Sequence, residues 1–267
     1  LTDETNNHVI RFQTHRFMGE VSEMARPHMQ LVLALHGSGC LQTQNLKQPL
    51  ETGDVVSIRP GVVYRLSDCA ALQVIACGFF LTSFRESVGS ALDPKALSVL
   101  LDSAEVKKYP ISLDKFRSIA ALLAAHPTGG EMGNIGRMLL LLETIVEHCK
   151  TPLTNVHRGV FQAVQEFDRE LARDWSLPEI AAAIDLDPSY LARLFTSNLG
   201  SPPLAYLALL RAEEAAVQLV TQKRSCSSVG ERVGWHDANY FSRRFRQRFG
   251  QSPTAFRERF AIPSQTG

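Results

Sequence analysis

The chain has little of what marks several broad protein classes. Its five cysteines, at 40, 69, 77, 149 and 226, are odd in number and scattered through 267 residues. That pattern excludes a disulfide framework or a thiolate zinc knot and favours a reducing compartment. No apolar run approaches the length of a membrane span. Leu1 is followed by polar residues, so neither a signal peptide nor a lipidation start is expected, and the expected location is cytoplasmic. No nucleophile elbow, phosphate-binding Gly-Lys motif or paired-His metal motif occurs, so no enzyme, cofactor or metal site is expected. Charge of one sign is also lacking: 28 Lys and Arg face 27 Asp and Glu, a formal net of +1.

What is present is core-forming material and local charge. The hydrophobic fraction is 45%, ample for a core, and the length allows one large domain or two of ordinary size. Residues 1–150 hold 14 basic and 15 acidic side chains, and residues 151–267 hold 14 and 12. Within Phe241–Phe260, six arginines (243, 244, 246, 248, 257, 259) meet one acid, Glu258, a net of +5. A patch of this kind suits phosphate, although a solvated helical face has the same composition.

Residues 9–80 read as short strands broken by turns: Val9–Phe12, Leu31–Ala34, Gly39–Thr43, Val55–Ile58, Val62–Leu66 and Leu72–Ala76. Gly-containing segments, His36–Gly39 and Glu51–Asp54, are expected to turn the chain between strands. Such strands predict a sandwich or small barrel. Two helices should follow, Asp114–Ala125 and Met132–Cys149. The second is apolar around much of its surface, which leaves burial within the chain and a homodimer seam both open.

Gly53-Asp54-Val55 through Tyr64 resembles the second motif of the cupin barrel, and Arg26-Pro27-His28-Met29-Gln30 a worn form of the first. Metal-bearing cupins carry several His at such places, whereas only His28 is compatible with a ligand role here. One imidazole does not make a metal site. His28, Gln30 and Tyr64 are therefore candidates to line a small-molecule effector pocket, with rim or strand-face residues as the plainer reading. Cys40, Cys69 and Cys77 fall in the same half and read as buried thiols, with redox sensing as the alternative.

The chain also repeats itself. Tyr190-Leu191-Ala192-Arg193-Leu194-Phe195 returns fifty residues later as Tyr240-Phe241-Ser242-Arg243-Arg244-Phe245, and Gly200 and Pro203 return as Gly250 and Pro253. Upstream, Ile180–Leu186 pairs with Val229–Trp235 at an offset of 49, so the second turn is one residue longer. Each copy reads as a short helix, a tight turn and a second helix. Asp187, followed by Pro188, and Asp237 are placed as N-caps. A long helix, Pro203–Gln222, links the copies, and Val156–Asp174 begins the bundle.

On these residues, with Leu210-Arg211 and the closing Gly250-x-Ser252-Pro253, residues 156–260 resemble the DNA-binding domain of the AraC family of bacterial transcription regulators. The implied architecture is a two-domain chain: a mainly-β cupin-like barrel (1–90) with appended helices (91–150, a dimerisation candidate), then an all-α domain (151–267). Its helix-turn-helix units lie near 177–199 and 227–249. Gly230 departs from the family's usual Ala, and Trp235 from its common Phe. The resemblance implies double-stranded DNA as partner, with an effector, a homodimer through 132–149 and RNA polymerase as further expected partners.

Resemblance and helix geometry together put Ser189, Ala192, Arg193 and Thr196 on the reading face of the first unit. Ala238, Asn239, Ser242, Arg243 and Arg246 take that place in the second. Arg193 and Arg243 are the leading base readers, and Asn239 suits adenine. Lys223, Arg244, Arg248 and Arg257 are candidate phosphate contacts. The alternative reading is a cupin-type binding protein or enzyme whose basic helical domain serves another interaction.

Overall fold

The computed structural model describes residues 10–88, 96, 99, 100, 104–125, 130–149 and 156–260. They fall into two compact units, one ending at residue 149 and the other beginning at 156.

The first unit is an antiparallel sheet with helices. Its strands are β1 (Ile10–Met24), β2 (Met29–Gln42), β3 (Lys47–Glu51), β4 (Asp54–Ile58), β5 (Tyr64–Phe79) and β6 (Val106–Pro110). The order is β1-β5-β2-β4-β6, with β3 also paired to β2. The helices are α1 (Leu81–Val88), α2 (Leu113–Ala125) and α3 (Glu131–His148). One core draws on every strand, with Val32, Leu50, Val56, Leu66, Val74 and Val106 buried and Phe17 packed against them. This is the barrel-like interior that the strand pattern predicts.

Strand lengths differ from the sequence reading. His36–Gly39 is not a turn between strands. β2 runs through it with register shifts against β5, and Gly37 takes a positive φ of 77° within the run. A Cβ at Gly37 would lie 2.4 Å from the Ala70 and Ala71 carbonyl oxygens, so glycine is required where the strands approach. Pairing to β5 continues throughout, which is why two short apolar runs form one long strand. Glu51–Asp54 does turn: Gly53 has φ +100°, and Asp54 accepts from the Glu51 backbone N–H at 2.7 Å. The Asp54 carboxylate also pairs with Lys108 of β6 at 2.7 Å. Thus β6, which the pattern missed, returns residues 106–110 to the sheet. The 91–150 stretch is therefore not a purely helical subdomain.

The same β2 is buried on both faces from Met29 to Ala34, which explains its unbroken apolar run. One face lines the barrel core, and α3 covers the sheet's other side. Asn134 of α3 donates to the Ile10 carbonyl at 2.9 Å, Arg137 lies over the Phe12 ring, and Cys77 Sγ sits 3.7 Å from Met138 Sδ. Burial pushes the Cys77 thiol well above its ordinary range. All five cysteines are free thiols, and 40, 69 and 77 are buried.

The second unit is all helical: α4 (Arg158–Arg169), α5 (Leu177–Ala183), α6 (Pro188–Leu199), α7 (Pro203–Thr221), α8 (Cys226–Arg232), α9 (Ala238–Phe249) and α10 (Pro253–Phe260). The repeat seen in sequence is a repeat in geometry. Asp187 caps α6 by accepting from Tyr190 N–H, and Asp237 caps α9 by accepting from Tyr240 N–H. Gly200 and Gly250 end them in the left-handed conformation, both at φ +71°. The turns match too: Asp185 (φ +57°) and Gly234 (φ +83°) hold equivalent left-handed positions. A further cap escaped the sequence reading. Ser176 and Glu179 form a reciprocal capping box at α5, and the Ser-x-x-Glu spacing is its signal. Hydrogen bonds from Ser176 hold the Glu179 carboxyl below its ordinary range.

Core packing differs between copies in a compensated way. Ala181 of α5 is buried where Gly230 stands in α8, and Leu191 of α6 is buried where Phe241 stands in α9. A Cβ on Gly230 would lie 3.0 Å from the Phe241 ring and from the Trp235 carbonyl oxygen. Gly230 is therefore room made for a larger partner, and its helix-propensity cost of about 1 kcal/mol is offset by that aromatic contact. Gly230→Ala alone should lower thermal stability. In a double-mutant cycle, Gly230→Ala and Phe241→Leu should couple favourably by about 1 kcal/mol. Additive melting shifts would contradict this packing account.

Candidate nucleic-acid interface

The sequence-predicted readers lie on two capped helices, and their side chains face outward. Ser189, Arg193 and Thr196 are exposed on α6, with Ala192 half-buried. Ala238, Asn239, Ser242, Arg243 and Arg246 are all exposed on α9. Inward positions carry the core: Leu191, Phe195 and Leu199 in the first, Phe241, Phe245 and Phe249 in the second. The ring of Phe256 packs edge-on to Phe245 at 5.2 Å, so these aromatics are not stacking platforms for bases.

The candidate phosphate contacts divide. Lys223 is exposed beyond the end of α7, and Arg244, half-buried, reaches Gln247 at 3.1 Å. Arg248 turns inward, its side chain 15% exposed and 3.5 Å from the Glu213 carboxylate of α7, itself 5% exposed. Arg257 donates to the Leu219 carbonyl at 3.3 Å. Both tie the outer helices to α7, so part of the local +5 serves packing. The sequence reading missed this because Glu213 lies far upstream of the cluster.

Arg211 of α7, in sequence only one letter of a motif, holds the two helix-turn-helix units together. It is buried and donates to three backbone carbonyls: Leu171 (2.9 Å), Arg173 (2.5 Å) and Gly234 (3.2 Å). The first two lie in the segment between α4 and α5, and the third in the turn of the second unit. Burial lowers the Arg211 pKa from its ordinary value. Gly234 is constrained from the other side, since a Cβ there would meet the Ala172 carbonyl oxygen at 2.5 Å. The turn therefore needs glycine both for its φ and for this contact. α7 itself carries Leu207, Leu210, Ala215, Leu219 and Val220 into the core, whereas Leu204 is exposed and not available to either unit.

Arg211→Lys should lower unfolding free energy by about 2 kcal/mol, because one ammonium cannot serve three carbonyls in the guanidinium's planar arrangement. An unchanged chemical-denaturation midpoint would remove Arg211 from this role.

In the β unit, two of the three effector candidates meet, Gln30 of β2 and Tyr64 of β5, while His28 lies in the bend before β2. Gln30 and Tyr64 are buried, and the Tyr64 hydroxyl donates to Gln30 Oε1 at 2.9 Å. His28 is half-buried, packed over Gly78 and edge-on to Phe80 at 5.7 Å. Burial, assisted by the Arg26 and Arg11 charges, lowers its pKa from 6.5 to about 4. Burial raises that of Tyr64. Among the described residues, no cluster of three His, Cys, Asp or Glu side chains is placed to hold a metal ion. His148 ends α3, half-buried, and His157 caps α4 by accepting from Gly159 N–H.

Because the folded protein resists protonating His28, the unfolded chain binds the extra proton first. Stability should therefore fall as pH drops from 6.5 toward about 4. His28→Gln should flatten that part of the pH profile, and an unaltered profile would place the acid sensitivity elsewhere.

Comparison with known proteins matches residues 180–259 to a helix-turn-helix domain. The chain is 32% identical over 126 residues to the arabinose operon regulatory protein of Escherichia coli, covering 46% of this chain and 42% of that one. It is 21% identical over 238 residues to the HTH-type transcriptional regulator YobQ of Bacillus subtilis, covering 86% of each. The first curated relatives are matched over about two fifths of their length, 42%, 38% and 44%. ToxT from Vibrio cholerae shares the fold over 94% of this chain and 98% of its own, at TM-score 0.59 and 9% identity. These relatives are transcription regulators, not enzymes. Among the described residues no helix is long and apolar enough to cross a membrane. Through its helical unit, the chain is similar to helix-turn-helix transcription regulators such as the arabinose operon regulatory protein.

Proposed function

We propose that the chain is a sequence-specific DNA-binding transcription regulator that works in the cytoplasm. The carrying observation is the duplicated, capped helix whose outward face bears Arg193 in one copy and Arg243 in the other. Each helix enters a major groove, and the guanidinium forks meet guanine O6 and N7. Asn239 pairs with adenine, while Ser189, Ala192, Ala238 and Ser242 permit close approach to base edges and thymine methyls. Thr196 and Arg246 flank the two reading surfaces. Lys223 and Arg244 contact phosphate. Arg248 and Arg257, engaged with Glu213 and Leu219, orient their helices more than they bind the duplex.

The β unit is the sensing part of this reading. A small molecule that displaces the Tyr64–Gln30 hydrogen bond, with neutral His28 two residues before Gln30 in the chain, would favour one DNA-binding state over another. ToxT has been solved with an unsaturated fatty acid bound. We extend ligand binding, without that identity, to this chain. A homodimer through α3 draws on few free apolar groups, since that helix is largely committed to the sheet and leaves Met132 and Leu140 exposed. A contact with RNA polymerase completes the activator reading, with no residue assigned to it.

Selection from a randomised duplex pool should return a defined site. Against it, Arg243→Ala should cost about 1–3 kcal/mol and relax preference at one base pair. Lys223→Ala should weaken all sequences alike and reduce the salt slope. Equal losses on every sequence from both changes would refute the division between readers and phosphate contacts.

A further inference from the structure

Each reading arginine stands on a tyrosine one helical turn before it. Arg193 Cζ lies 6.0 Å from the Tyr190 ring centroid, and Arg243 Cζ lies 5.4 Å from that of Tyr240. Both tyrosines are large aromatics left in solvent, 39% and 40% exposed, on the first turn of α6 and α9. Core packing does not account for them, because the buried stripe of each helix is carried by other residues. Each ring is also steadied from behind. His157 meets Tyr190 edge-on at 6.1 Å, and Trp235 meets Tyr240 edge-on at 6.3 Å.

Neighbouring arginines are treated differently. Arg169, Arg173 and Arg248 each have a carboxylate partner, and Arg173 and Arg248 keep it even though they also lie over the Trp175 and Phe249 rings, at 4.0 and 5.7 Å. Arg193 and Arg243 have no ion pair among the described residues, and the tyrosine ring is the cationic head's contact. A carboxylate would consume the N–H edge of the guanidinium and neutralise its charge. An aromatic ring restrains the head while leaving that edge open, and the N–H edge is the part that must reach a base.

We propose that Tyr190 and Tyr240 are positioning residues for sequence readout, each holding the arginine three residues on in an extended, base-competent arrangement before DNA arrives. This rests on the reading of Arg193 and Arg243 as base contacts. Holding the side chain in advance reduces the conformational entropy lost on binding, so the effect appears in discrimination at the base that arginine reads. The second unit depends on its ring more strongly, because Arg243 is nearer its tyrosine and Trp235 behind it is buried in the core.

The test is a double-mutant cycle in the full chain, reading the ratio of affinities for the selected site and for the same site changed at the base pair that Arg243→Ala relaxes. Tyr240→Leu should lower that ratio about threefold, the change expected from losing an exposed cation–π contact. Tyr240→Phe should retain it, since the ring and not the hydroxyl acts. In an Arg243→Ala background, Tyr240→Leu should have no further effect on the ratio. Matching thermal melts are expected, the ring being exposed. If Tyr240→Phe is as damaging as Tyr240→Leu, the hydroxyl contacts DNA itself and the proposal falls. It falls equally if Tyr240→Leu leaves the ratio unchanged, or acts to the same extent with and without Arg243. If instead Arg243→Ala relaxes no base pair, the reading of Arg243 as a base contact is what has failed.

Discussion

The helical unit depends on one guanidinium. Arg211 gathers the Leu171, Arg173 and Gly234 carbonyls, and so joins the entry to the first helix-turn-helix to the turn of the second. The Arg173 carbonyl also accepts from the Trp175 N–H, so the guanidinium adds a second bond there while bridging to the other two. The fit is mutual. Gly234 can approach only because it lacks a Cβ, and the left-handed turn it forms is the one its counterpart Asp185 achieves with a side chain. A two-headed reader needs its heads at a fixed offset, and this junction supplies it more locally than the length of α7 alone.

Around that junction the duplicated units have diverged in complementary ways. Ala181 with Leu191 and Gly230 with Phe241 are two solutions to the same helix crossing. The second unit has become the more aromatic, with Phe241, Phe245, Phe249 and Phe256 in one cluster, and the more basic. Its charge is shared between two tasks. Arg248 and Arg257 tie α9 and α10 to α7, while Arg243 and Arg246 remain exposed. A near-neutral chain is then compatible with DNA because attraction to phosphate is needed only locally.

The helical half was legible because its signals are short-range: caps at Asp187 and Asp237, left-handed glycines at 200 and 250, and a repeat that checks itself. Exposed faces of α6 and α9 followed from helical spacing together with the family resemblance. Pairings across long sequence distance were not legible. Arg211 with residues near 172, Arg248 with Glu213 and Lys108 with Asp54 join positions that no local period relates. In the sheet, glycines at 37 and 39 carried two meanings, turn or bulge, and only pairing with β5 decides for the bulge. β6 was missed because Val106-Lys107-Lys108-Tyr109-Pro110 is short and charged, as edge strands often are.

The central claim is that two reading helices bind as one rigid body. It is tested most directly by measuring affinity for the selected duplex after separating its two half-sites by about half a helical turn (~5 bp) and by about one full turn (~10 bp). Rigid heads predict that both insertions reduce binding to the level of a single half-site. Recovery of full affinity with the one-turn insertion would mean that the heads move independently, and would contradict the account.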